Sequence, residues 1–320
     1  MSAAPLRLRA ALTRGALVTI GNWPIVLIDF AIESLYKMSL VVPLVGGALM
    51  VTALVGGSVR SIFAEGVRTA AARIVAALMD APVALTSFIA AFALVGAGGA
   101  LLMFVWKGGT LAVLVAGERK AAEAGRGARY AAMTGAYAYD LDALLSGVRR
   151  FSRRMRGLSL WLSGVYAILG TGYVLALAGA FRLADRPDIG AIWPLAVAAA
   201  TGAGVVALTL ANVAFDVLRV IVVCDDCGLR AAWARLSAFL VQDARQVIGI
   251  FAVLTGLFAL AAAASLLVAA GLALVAWVPV VGIVVVPLQL AAWLIRGVLF
   301  QWMGLTALCA YQAQYRRFAG

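Results

Sequence analysis

Histidine is absent from this 320-residue chain, and with it the usual ligand for haem, zinc or copper and the usual general base at neutral pH. Metal-centred and Ser-His-Asp chemistries lose their central residue. Charge is scarce too: 12% of residues are Asp, Glu, Lys or Arg, about half of what a soluble domain carries. Of three cysteines, Cys309 stands alone and the others form the run Cys224-Asp225-Asp226-Cys227. A metal site wants a second ligand pair and a thioredoxin-like redox motif wants a βαβ context, so Cys224 and Cys227 read as a solvated turn at a helix end. No P-loop, Rossmann glycine fingerprint or HExxH occurs. The sequence offers no catalytic, cofactor-binding or metal-binding residue, and the expectation is a protein that is not an enzyme and carries no cofactor.

What the chain has instead is apolar length. Hydrophobic residues make up 65% of it, and from Val247 to Ile295 there is no charged side chain before Arg296. A hydrocarbon core of ~30 Å needs about 20 apolar helical residues per crossing, so that stretch alone holds two. The fold class is all-α, a polytopic transmembrane helical bundle. No long polar block leaves room for a soluble catalytic domain, so residues 1–320 read as one integral membrane domain. The net charge of +12 sits in short segments flanking the apolar spans, which suits anionic lipid headgroups and argues against nucleic acid. Heavy use of Ala, Arg, Gly and Val over Lys points to a bacterial source, hence to the inner membrane.

Basic or amphipathic segments alternate with apolar blocks, giving repeat units at 5–57, 58–117, 118–223 and 224–304, and a cytoplasmic tail at 305–320. Arg7, Arg9 and Arg14 imitate a signal peptide, but Asn22, Pro24, Asp29 and Glu33 interrupt the core that follows, so the segment is expected to stay as an anchor. Arg149, Arg150, Arg153, Arg154 and Arg156 should be cytoplasmic, as should Arg60, Arg68 and Arg73. Both flanks of 83–117 then lie inside, so this block is expected to enter and return, turning at Gly96-Ala97-Gly98-Gly99. Further turns are expected at Arg182–Asp188 and at Trp277–Gly282. The scheme is four hairpins, six to eight crossings and both termini cytoplasmic.

The hairpins should be joined by basic amphipathic helices. Leu141, Leu144, Leu145, Val148, Phe151 and Met155 share one face while the arginines take the other; Leu229, Trp233, Leu236 and Leu240 repeat the pattern. These helices are expected to lie in the inner interface with Arg149, Arg150, Arg153, Arg154 and Arg156 on lipid headgroups. The alternative is a set of coupling helices that dock a cytoplasmic ATPase, as in permeases.

Asp29, Glu33 and Lys37 are spaced by four and form a ladder on one helix face, either a self-neutralising stripe or a cation or proton site. Asn212, Asp216 and Arg219 form a second face on which Asp216 can pair with Arg219 within the helix, where the helix emerges into the cytoplasm; if the face is instead buried, its partners would be Lys107 or Arg296. Small residues at helical spacing, such as Ala198 with Gly202 and Ala200 with Gly204, suggest close helix packing.

The recurrence of a basic amphipathic helix and a transmembrane hairpin resembles a loose group of bacterial membrane proteins that includes the membrane domain fused to some glycerophosphoryl diester phosphodiesterases. The resemblance spans most of the chain without a sharp motif, and the catalytic domain of the fused enzymes is missing. It implies a helical membrane scaffold. The functional expectation is a non-catalytic structural or accessory subunit working with anionic lipid and other membrane subunits; the alternative is a transporter or permease component for an ion, small solute or lipid.

Overall fold

The computed structural model describes residues 7–55, 76–123, 135, 137–184, 192–276 and 279–319. These form seven helices and a short helical turn at 76–80. The helices are α1 Leu8–Gly21, α2 Trp23–Val55, α3 Pro82–Glu123, α4 Leu141–Ala184, α5 Trp193–Cys224, α6 Leu229–Ala276 and α7 Pro279–Ala319. Six of them, all but α1, are long and apolar enough to cross a membrane. Helix is the form such sequences take because it satisfies every backbone N–H and C=O internally; Pro43 in α2 and Pro287 in α7 each remove one such bond, which membrane helices tolerate when neighbouring groups take up the freed carbonyl.

Residues 7–30 and 104–319 build one compact unit. Its two hairpins are antiparallel. Tyr166 of α4 donates to Asn212 of α5, Tyr173 pairs with Thr201 at 3.2 Å, and Phe181 stacks on Trp193 at 5.7 Å. In the other hairpin Phe239 meets Tyr315 at 5.5 Å and Phe258 meets Phe300 at 5.6 Å, so α6 and α7 run side by side. Of the turns expected at Arg182–Asp188 and Trp277–Gly282, residues 185–191 and 277–278 lie outside the described residues, and the described parts, 182–184 and 279–282, are helical.

Burial divides these helices lengthwise. The core gathers Leu144, Phe151, Met155 and Leu158 of α4, Phe215 to Val223 of α5, Leu236, Phe239 and Ile250 of α6 and Leu305 to Tyr315 of α7, with Val18, Ile25 and Leu114 from the first three helices. Beyond that end the same helices are apolar yet open: Ile168 is 73% exposed, Leu195 70% and Leu274 74%. Large aliphatic side chains in such density are untenable in water and ordinary against lipid tails.

Three expectations are corrected here. The arginine-bearing segment 141–157 and the segment 229–246 are no separate interfacial helices; they are the first halves of α4 and α6, and Leu144, Phe151, Met155, Leu236 and Phe239 face protein. Helical periodicity identifies an apolar face without saying whether lipid or protein covers it. In α6 the two parts meet at Asp243, which has non-helical φ −120°, ψ 21°. Residues 305–319 are likewise the buried end of α7 and not a tail. Close packing, finally, is not at Gly202, where an added Cβ would find no neighbour within 4 Å. It is at Gly109 of α3 and Gly147 of α4, where added Cβ atoms would fall 2.6 Å from the Leu144 carbonyl oxygen and 2.7 Å from Ala112 Cβ respectively.

Residues 31–103 form the second unit. Within it the outer part of α2 packs antiparallel on the start of α3: Gly47 lies against Phe88, and the Tyr36 hydroxyl donates to the Gly96 carbonyl at 3.1 Å. The turn expected at Gly96–Gly99 does not exist, since α3 runs through it unbroken for 42 residues. These glycines are a seat for an aromatic ring: a Cβ on Gly99 would collide with the edge of the Tyr36 ring. A glycine cluster serves a turn or a close approach equally well, and here the ring decides. The chain thus shows three hairpins among its described residues where four were expected. The positive-inside rule placed Arg60, Arg68 and Arg73 with Arg149–Arg156 and led to a re-entrant block that the unbroken α3 does not show; those three residues lie outside the described set.

Candidate functional site

Asp29 is fully buried near the start of α2, about two turns after the helix break at Asn22. Its two oxygens take four donors. Oδ1 accepts from Trp106 Nε1 at 2.9 Å and Thr110 Oγ1 at 2.8 Å; Oδ2 accepts from Lys107 Nζ at 2.5 Å and Gln301 Nε2 at 3.1 Å. Positions 106, 107 and 110 share one face of α3, and Gln301 comes from α7, so a single carboxylate joins three helices. Lys107 is the counter-ion, 13% exposed along its side chain. A buried charge persists only when it is paired and its remaining lone pairs are filled, and both conditions hold here.

The sequence ladder therefore divides. Glu33 and Lys37 pair with each other at 2.7 Å, with Lys37 70% exposed, while Asp29 belongs to Lys107. Asp216 and Arg219 pair within α5, and Arg219 lies over the Phe104 ring at 4.7 Å, a cation–π contact of ordinary geometry. Neither Lys107 nor Arg296 partners them, contrary to the expectation for a buried face. Beside Asp216 a cavity of about 290 Å³ opens between α5, α6 and α7, lined by Thr209, Asn212, Thr255 and Tyr311 among others. Arg296 lies apart, in the open half of the α6–α7 hairpin, with Ser265 at 3.4 Å and no carboxylate partner among the described residues.

A second buried carboxylate escaped the sequence reading. Glu118 of α3 is 3% exposed and bridges Arg14 of α1, at 2.5 Å, to Arg316 of α7. Its partners stand about a hundred and two hundred residues away in the chain, and no local spacing announces them. Above this bridge α1 lies against α7 at Gly15, and the Thr19 hydroxyl reaches the Gly15 carbonyl at 2.9 Å and Cys309 Sγ at 3.6 Å. Asn22, in the break itself, accepts the Ala138 N–H at 2.8 Å and thereby seats the approach to α4.

The turn between α5 and α6 is the third tie. Asp225 accepts from Arg235 of α6 and Tyr315 of α7, and Asp226, in the left-handed region at φ 49°, accepts from Arg150 and Arg154 of α4. Short polar side chains visit that conformation at low cost. The two arginines hold the Asp226 carboxyl below its usual range. This link is accordingly present above the ordinary carboxylate pKa of ~3.9 and fades as pH falls through the lower folded value. Two of the five arginines assigned to headgroups thus have a protein partner; Arg149, Arg153 and Arg156 are exposed. Cys224 and Cys227 flank the same turn as free thiols, and burial pushes the Cys227 thiol up, away from the reactive thiolate.

Among the described residues no group of His, Cys, Asp or Glu is arranged to hold a metal ion. No family model matches the chain, and no curated protein and no solved structure matches it. The ties themselves are what the chain offers: Asp29, Glu118 and the Asp225–Asp226 turn cross-link the helices at the end where the core lies.

Proposed function

We propose that this chain is a non-catalytic structural or accessory protein of a membrane complex, a helical scaffold whose charges are spent on holding its own helices. The observation that carries this reading is the saturation of Asp29. Four donors fill its two oxygens, so a permeating cation would have to displace Lys107 to reach it. Ionisable groups at membrane depth face a pathway or a partner, and here the partner is in place.

In this reading α2 to α7 each cross the bilayer once. Two single crossings by α2 and α3 return the chain to the side of α1, which puts Arg14 and the arginines of α4 on one face. The positive-inside rule makes that face cytoplasmic. The part of α6 after the break at Asp243 is itself ~50 Å long at ~1.5 Å per residue, more than a ~30 Å hydrocarbon core needs, so the basic part before the break stands beyond that core. Exposed Arg149, Arg153 and Arg156 then meet anionic headgroups or a docking subunit.

The transporter reading is favoured by one feature, the cavity beside Asp216, which Thr209, Asn212 and Thr255 line together with apolar side chains. Flux in proteoliposomes separates the two. Across a panel of protons, monovalent cations and small anions, the scaffold reading expects leak-level flux from the wild type. Flux above leak that Asp216→Asn abolishes while the protein stays folded would replace the scaffold with a transporter.

A further inference from the structure

Arg296 is a charge in an apolar hairpin. It sits in the α6–α7 hairpin, partly buried, with its guanidinium 3.4 Å from Ser265 Oγ and no carboxylate beside it among the described residues. It also lines a cavity of about 500 Å³ between the two helices. From Arg296 and Ser265 the cavity follows both helices toward their connecting turn, past Val268 and Trp293 to Leu272 and Gln289. The Arg296 end is therefore cationic, and apart from Gln289 the lining toward the turn is apolar.

Depth matters here. Arg296 stands ~26 Å along α7 from Pro279 at ~1.5 Å per residue, close to the far edge of a ~30 Å core that begins at the turn. In the orientation proposed above that edge is the inner leaflet. A cation there reaches the phosphate level by extending its side chain, while the apolar channel points from it into the bilayer. An uncompensated guanidinium costs a few kcal/mol at membrane depth unless an anion joins it. We infer that this cavity is a binding site for one inner-leaflet anionic phospholipid, with its phosphate on Arg296 and Ser265 and an acyl chain laid along Val268 and Leu272. Arg suits this role because its planar fork binds two phosphate oxygens at once. The site rests on the helices crossing the bilayer and does not depend on whether the protein is a scaffold or a transporter.

Trp293 lines the same cavity and reports on it. The protein is reconstituted in phosphatidylcholine vesicles containing, at equal mole fraction, brominated phosphatidylglycerol or brominated phosphatidylcholine. Tryptophan quenching is measured, and the Trp293 share is the part lost in Trp293→Phe. The expected result is about a fivefold preference for the anionic lipid, the factor for ~1 kcal/mol per basic residue. Arg296→Gln should bring the two lipids to parity, and Arg296→Lys should keep most of the preference. Equal quenching by both lipids in the wild type, or a preference untouched by Arg296→Gln, overturns the site. Quenching by neither lipid overturns the membrane placement on which the site rests.

Discussion

Replacing Asp29 with alanine is expected to destabilise the protein by about 3–5 kcal/mol, the range for breaking a buried ion pair from one side. Lys107 would be left charged and 13% exposed, and Trp106, Thr110 and Gln301 would each lose an acceptor in a place water reaches poorly. Asp29→Asn should also cost several kcal/mol, because it keeps the shape and removes the charge that Lys107 needs. A solvated stripe with Glu33 and Lys37 would instead lose under ~1 kcal/mol. Lys107→Met alone should be costly as well. The pair Asp29→Leu with Lys107→Met should recover much of the loss, since an apolar pair of similar volume often equals a buried salt bridge. Thermal unfolding of the wild type, Asp29→Leu, Lys107→Met and the double variant in detergent gives the cycle. Losses that simply add would mean that the two residues do not depend on each other.

The second large effect is expected at Gly15. An added Cβ would lie 2.7 Å from the Thr306 carbonyl oxygen and 2.9 Å from the Ala310 nitrogen. Both are backbone atoms of α7, which no rotamer change can move. Gly15→Ala should therefore push α1 off α7, at or above the ~1–3 kcal/mol usual for overpacking, and should strain Thr19–Cys309 and Arg14–Glu118 with it. Gly170→Ala is the control: nothing lies within 4 Å of its Cβ position, and alanine there should be neutral or gain up to ~1 kcal/mol of helix propensity. If Gly15→Ala melts with the control, the close α1–α7 contact is not a determinant of the fold.

The apolar, all-helical class was legible because hydrophobic length is a local property, and six helices are long and apolar enough to cross a membrane. What sequence could not show was the far side of each contact. Leu144, Phe151 and Met155 have the same period whether they meet lipid or α3 and α5. Gly96 and Gly99 satisfy a turn as well as they seat Tyr36. Asp29 sits four residues from Glu33, which made a local ladder the natural reading. Its real partners begin 77 residues on, at Trp106. Glu118 was invisible for the same reason, with Arg316 198 residues away. The signal that could have found both was negative: each is an acidic residue beside an apolar run with no local cation to balance it, Arg119 and Lys120 pointing elsewhere on the turn.

One measurement bears on the central claim that the charged core end and the tips of the apolar hairpins lie on opposite faces of a membrane. In a background with Cys224→Ser, Cys227→Ser and Cys309→Ala, single cysteines are placed at exposed Ser146, near the start of α4, and at Ile192, 51% exposed beside the first turn of α5. Right-side-out membrane vesicles are treated with a membrane-impermeant maleimide before and after permeabilisation. The account predicts that the cysteine at 192 reacts at once and that the cysteine at 146 reacts only after permeabilisation. Immediate labelling at both positions, or at 146 alone, would contradict it.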